Sequence, residues 1–124
     1  MKLTLAEIRW MQRGLTTITS MPLPIRISYK LSKLINFFNE EMAAMEQART
    51  DLIKKLSVEN PEKPGELRVT SENEEKFREE FSQLLQEEVN IDFTPIRLKE
   101  LGEDIKISPV ELYSLSKIIN DDPE

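Results

Sequence analysis

The chain has 124 residues, 39% apolar and 32% charged, with a formal net charge of −6 and neither Cys nor His. That length fits one domain and one core, and the charged share suits long helices with solvated faces in an elongated molecule. Without Cys or His there is no disulfide framework, thiolate or imidazole metal site, or Ser-His or Cys-His nucleophile pair, so the expectation is a protein that is not an enzyme and holds no metal or cofactor.

Thr4-Leu5-Ala6-Glu7 has capping-box spacing and predicts a helix over about 4–20, with Leu5, Ile8, Met11 or Gln12, Leu15 and Ile18 as its apolar stripe. Gly14 and the run Thr16-Thr17-Ile18-Thr19 weaken its last turns. Met21-Pro22-Leu23-Pro24 breaks it, because proline donates no hydrogen bond and pushes the preceding residue out of the helical region.

A long helix is predicted over about 24–57. Leu31, Phe38, Met45 and Leu52 fall seven apart, with Ile35, Met42, Arg49 and Leu56 as the companion row and Arg49 as the misfit. Ile25, Ile27, Tyr29, Leu34, Phe37 and Ile53 widen the stripe, so more than one helix must pack on it.

Residues 58–70, with Asn60-Pro61 and Pro64-Gly65, read as a loop with a short extended piece at Leu67-Arg68-Val69. A third helix is predicted over about 71–89, from the capping-box spacing of Ser71 and Glu74 and the stripe Phe77, Phe81, Leu84, Leu85 and Val89. From their lengths, the first and third helices should lie end to end along the long one, each covering half of it and meeting near its middle.

Beyond Val89 the apolar period becomes two, and 90–107 reads as an extended segment with an edge strand and a second short strand at Ile105-Lys106-Ile107. Ser108-Pro109-Val110-Glu111 opens a final helix over about 109–119, and Asn120 to Glu124 should fray. The fold class is therefore mainly α (an α-dominant α+β): one domain over 1–124, built as an elongated antiparallel helical hairpin or bundle around one long central helix, with a minor β element near the C-terminus.

Charge is distributed unevenly. Residues 1–36 hold Lys2, Arg9, Arg13, Arg26, Lys30 and Lys33 against Glu7, a balance of +5, while residues 37–124 hold 11 basic and 22 acidic residues, a balance of −11. Arg26, Lys30 and Lys33 share a helix face with Tyr29 alongside. With Arg9 and Arg13 they form the candidate partner-binding set, for a protein or a second copy, with nucleic acid as the alternative. The plainer possibility is that they pair within the chain or solvate their helix. Glu72, Glu74, Glu75, Glu79, Glu80, Glu87 and Glu88 read as a solvated acidic face. No apolar leader segment follows Met1 and no run is long enough to span a membrane, which implies a soluble, cytoplasmic protein with no membrane partner. Gly14, Gly65 and Gly102 lie in no Gly-rich phosphate-binding run, and no small-molecule substrate is expected.

Leu31 to Leu34 at a helix start, Met42 to Leu56 ending in Asp51-Leu52-Ile53-Lys54-Lys55, Phe81 to Val89, Asn90-Ile91-Asp92-Phe93-Thr94-Pro95-Ile96 and Ile107-Ser108-Pro109-Val110-Glu111-Leu112 together resemble small helical proteins of bacteriophages and prophages. The resemblance runs over most of the chain and contains no catalytic signature. It implies a phage-encoded accessory protein in a host bacterial cytoplasm, acting by binding another protein as an inhibitor of a host or defence factor. The alternative is a homo-oligomeric virion component or assembly chaperone. It carries over no functional residue.

Overall fold

The computed structural model describes residues 1–59, 65 and 67–121. Its first helix, α1 (Leu5–Thr19), starts where the capping box predicts: the Glu7 amide donates to the Thr4 hydroxyl at 3.1 Å, and the Thr4 amide donates to the Glu7 carboxylate at 2.9 Å. Leu5, Ile8, Met11, Leu15 and Ile18 are buried as one stripe. The Pro-containing turn reverses the chain into α2 (Ile25–Leu56), an unbroken helix of 32 residues and about 48 Å.

The mainly α class holds, with α2 as the long central helix. The helix α3 (Ser71–Leu85) and the short α4 (Pro109–Ser114) complete the helical set. The buried stripe of α1 packs with Ile27, Leu31, Leu34 and Phe38 of α2 in one core. The start of α3 is tied to the end of α2, where the Asn73 side-chain amide donates to the Leu56 carbonyl at 3.1 Å. The head of α1 is joined to the chain just after α3, where the Leu5 amide donates to the Glu87 carbonyl at 3.0 Å, and α1 and α3 are in contact.

Among the described residues the minor β structure has two antiparallel pairs. Strand β1 (Lys2–Thr4) pairs with β4 (Glu88–Asn90), Leu3 opposite Val89, and β2 (Ser57–Glu59) pairs with β3 (Leu67–Val69), Val58 opposite Arg68. The extended piece expected at Leu67-Arg68-Val69 is thus a strand. Its partner β2 replaces the helix end and loop that the sequence predicts at 57–59, and the turn signals Asn60-Pro61 and Pro64 lie outside the described residues.

Several boundaries differ from the sequence reading. The third helix ends at Leu85 rather than near residue 89, because Val89 and its neighbours give their backbone groups to β1. Its N-cap is Thr70, without a side-chain cap bond, and the capping box expected at Ser71 and Glu74 does not form. The segment 90–107 carries a ladder only up to Asn90. Ile96 then makes an isolated parallel bridge with Ile119, and Ile105 to Ile107 have no partner strand among the described residues.

The last helix starts as expected, the Ser108 hydroxyl accepting from the Glu111 amide at 3.2 Å, but it ends at Ser114 instead of near residue 119. Ile118 and Asn120 are drawn off by Ile96, whose amide donates to the Ile118 carbonyl at 2.8 Å and whose carbonyl accepts from the Asn120 amide at 3.0 Å. Asn120 and Asp121, expected to fray, are tethered: the Asp121 carbonyl accepts from the Arg97 guanidinium at 3.0 Å, and its carboxylate accepts from the Leu98 amide at 3.1 Å. A 3-10 turn at Leu98–Leu101 ends at Gly102, whose φ of 89° favours glycine.

The core lies along α2 from Ile27 to Met45, where Ile27, Leu31, Leu34, Phe38 and Met45 join the α1 stripe, Leu3, Ile91, Ile96, Leu101 and the trio Leu115, Ile118 and Ile119. The heptad row is therefore real core through Met45, and Phe38 is fully buried. Arg49, the misfit, is half-buried and reaches Glu46 at 3.8 Å. Ile25 and Tyr29 do not belong to the packed stripe. They are 85% and 65% exposed, because α1 and the 91–101 segment cover other faces of α2. The far half is thinner, since α3 buries no residue completely.

Candidate functional site

The six residues expected to form one partner-binding face are divided between two surfaces. Arg26, Tyr29, Lys30 and Lys33 lie together on α2, lining a hollow of about 320 Å³ with Ile27 and Glu100. Each cation there is engaged within the chain. Arg26 meets the Glu100 carboxylate at 3.1 Å, Lys30 donates to the Thr94 carbonyl at 2.6 Å and stands 4.8 Å from the Phe93 ring centre, and Lys33 stands 5.4 Å from the Tyr29 ring centre.

Glu100 anchors this arrangement, its carboxylate accepting from the Arg97 amide at 2.7 Å. That hydrogen bond holds its carboxyl below the usual range; desolvation opposes the effect, and the charges of Arg26 and Lys30 reinforce it. The spacing of Arg26, Lys30 and Lys33 does place them on one face, but that face fastens the segment from Phe93 to Glu100 onto α2.

Arg9 and Arg13 lie elsewhere, in a groove of about 600 Å³ bounded by α1, α4 and Leu85. The groove depends on Gly14. A Cβ there would lie 2.8 Å from the Ser114 hydroxyl oxygen, 2.9 Å from Leu115 Cγ and 3.0 Å from the Glu111 carbonyl, so only a residue without a side chain lets α4 settle this close. The Pro109 start of α4 then sets Val110 and Tyr113 facing solvent, 74% and 68% exposed.

Across from them Trp10, the only tryptophan, is 52% exposed and meets the Tyr113 ring edge-on, with centroids 5.6 Å apart and planes at 75°. The Arg9 guanidinium lies 6.0 Å from the Phe81 ring centre. Among the described residues neither Arg9 nor Arg13 has a carboxylate within 4.0 Å. Glu111 is the one acid among the described residues that line the groove; its carboxyl sits below the usual range because of the Thr17 hydroxyl, against desolvation, with Ser108 and the Arg13 charge adding to the effect.

Sequence reasoning missed Trp10, Val110 and Tyr113. A signal was present, because Trp10 falls off the stripe Leu5, Ile8, Met11, Leu15 and Ile18, and Val110 and Tyr113 lie three apart on the side of α4 away from Leu115. Large apolar residues off the buried stripe are the ones a helix leaves in solvent.

Among the described residues no three Asp or Glu side chains gather as a metal site, and no helix is long and apolar enough to cross a membrane. The residues of the acidic α3 are exposed or half-buried, with Glu74 and Arg78 paired at 3.6 Å. Comparisons with protein-family models, with curated proteins and with solved structures find no match for this chain.

Proposed function

We propose that this chain is a non-enzymatic accessory protein that acts by binding another protein, and that the groove between α1 and α4 is its docking face. The observation that carries this reading is that Trp10 and Val110, both more than half exposed, line one groove, with the exposed Tyr113 packed edge-on against Trp10. A single exposed apolar side chain is ordinary, whereas a tryptophan and a valine lining one concavity, with a tyrosine packed on the tryptophan, have the make-up of an interface anchor. The resemblance to small phage and prophage proteins suits a host or defence protein as the partner.

The reading departs from the sequence expectation in one respect. Of the basic set, Arg9 and Arg13 belong to the docking face, while Arg26, Lys30 and Lys33 serve the fold. The test is capture from bacterial lysate with the wild type, with Trp10→Ala/Tyr113→Ala, and with Lys33→Ala as the control. A partner retained by the wild type and the control but lost from the double variant supports the reading. Equal retention by all three removes the groove from consideration. Sedimentation over a range of concentrations tests the alternative of a homo-oligomer, which predicts a mass that rises with concentration and falls in the same double variant.

A further inference from the structure

We infer that the segment received by the α1–α4 groove is an acidic amphipathic helix, with an apolar ridge that packs on Trp10 and carboxylates one turn apart that meet Arg9 and Arg13. This rests on the docking reading above and adds the chemistry of the partner. Along α1 the groove runs from Ala6 to Gly14, about 12 Å or roughly two helical turns. Arg9 and Arg13 are four residues apart, so their side chains leave one face of α1 about 6 Å apart along its axis. Carboxylates at the same spacing on a guest helix match them, and an apolar residue between those carboxylates falls toward Trp10.

The charge of the groove favours this sign of partner. The two guanidiniums have no carboxylate in ion-pair reach among the described residues, and the Glu111 carboxylate is held by the Ser108 hydroxyl at 3.1 Å. A nucleic acid strand fits less well. Two cations do not make a track, and the edge-on Trp10 and Tyr113 rings offer no pair of parallel faces for stacked bases. A second copy of this chain fits less well too. Its acidic helix α3 keeps Phe77, Phe81, Leu84 and Leu85 half-buried against its own chain, so its outer face lacks an apolar anchor.

Because Trp10 is the only tryptophan, its emission reports directly on the groove. The experiment titrates the full chain with three synthetic helical peptides of about four turns that share the same leucine ridge and carry Glu, Gln or Lys beside it. The Glu peptide is expected to shift Trp10 emission to the blue and to bind at least about tenfold more tightly than the Gln peptide at low salt. That preference should shrink in about 0.5 M salt and vanish in Arg9→Gln/Arg13→Gln, whose urea midpoint stays at the wild-type value.

Equal or tighter binding of the Gln or Lys peptide overturns the charge assignment and leaves protein docking standing. No shift with any peptide at millimolar concentration overturns both. A shift produced by a single-stranded oligonucleotide and lost in the same double variant transfers the groove to nucleic acid. A shift on simple concentration of the protein transfers it to a second copy.

Discussion

Gly14 on α1 faces Ser114 on α4 so closely that a methyl group on Gly14 would lie 2.8 Å from the Ser114 hydroxyl oxygen. The Ser114 hydroxyl is already committed, donating to the Glu111 carbonyl at 2.6 Å, and that carbonyl itself lies 3.0 Å from the same Cβ position. One missing side chain therefore sets the depth at which α4 seats, and with it the positions of Val110 and Tyr113 relative to Trp10.

In an unconstrained helix, Gly→Ala stabilises by about 1 kcal/mol. Here Gly14→Ala should destabilise by about 1–3 kcal/mol, because helix backbone and the buried Leu115 must shift. Urea unfolding measures the loss, and the Trp10 spectrum should change in the folded state as Tyr113 is moved. A more stable protein with unchanged emission would show that the helices are not in contact at Gly14.

The two ends of the exposure range on α2 give a paired test. Phe38 is fully buried and Ile25 is 85% exposed. Phe38→Ala should cost about 3–5 kcal/mol through the cavity it leaves, whereas Ile25→Ser should stay within about 0.5 kcal/mol of the wild type. Comparable losses at both positions would mean that α2 is rotated from the orientation described.

Acid should weaken the fold, and the sign follows from three carboxyls. Burial works to raise the Glu7 carboxyl, but the Lys117 ammonium and the Thr4 amide and hydroxyl together outweigh it, and Glu100 and Glu111 are likewise held below their ordinary value of 4.5. A carboxyl that binds its proton less tightly when folded stabilises the protein above that ordinary value. The stabilisation is lost as pH falls through it and then through the lower folded value. Urea midpoints should be level from neutral pH to about 5.5 and fall below that. Glu7→Gln, which keeps the capping geometry but not the charge facing Lys117, should lessen the fall, and an unaltered slope would remove Glu7 from the account.

The basic residues should divide by role. Reversal of Arg26, Lys30 and Lys33 to Glu places new carboxylates beside Glu100 and discards the Lys30 bond to Thr94, and should cost about 1–2 kcal/mol. Reversal of Arg9 and Arg13 should leave thermal stability within a few degrees of the wild type, since both are exposed, neither has a carboxylate within 4.0 Å among the described residues, and exposed charges contribute little to folding. If the α2 triple variant melts like the wild type, Arg26, Lys30 and Lys33 do not hold the segment from Phe93 to Glu100 in place.

The helical frame was legible because its signals are local. Thr4 and Glu7, Pro22 and Pro24, Ser108 and Pro109, and the row Leu31, Phe38 and Met45 each act within one or a few helical turns, and each appears in the structure where the spacing placed it. Basic residues of α2 on one face were legible for the same reason, as the shared hollow of Arg26, Lys30 and Lys33 shows.

Tertiary structure decided what those elements meet. Strand β1 is three residues long and has no pattern of its own; it exists because β4, from the far end of α3, supplies its hydrogen bonds. Ile118 leaves the helical path because Ile96 takes its carbonyl, and Lys30 turns inward because the Thr94 carbonyl and the Phe93 ring lie beside it. The candidate site belongs to this second kind. Trp10 and Tyr113 come from opposite ends of the chain and meet only because Gly14 lets two helices approach, a contact that no spacing along the sequence records.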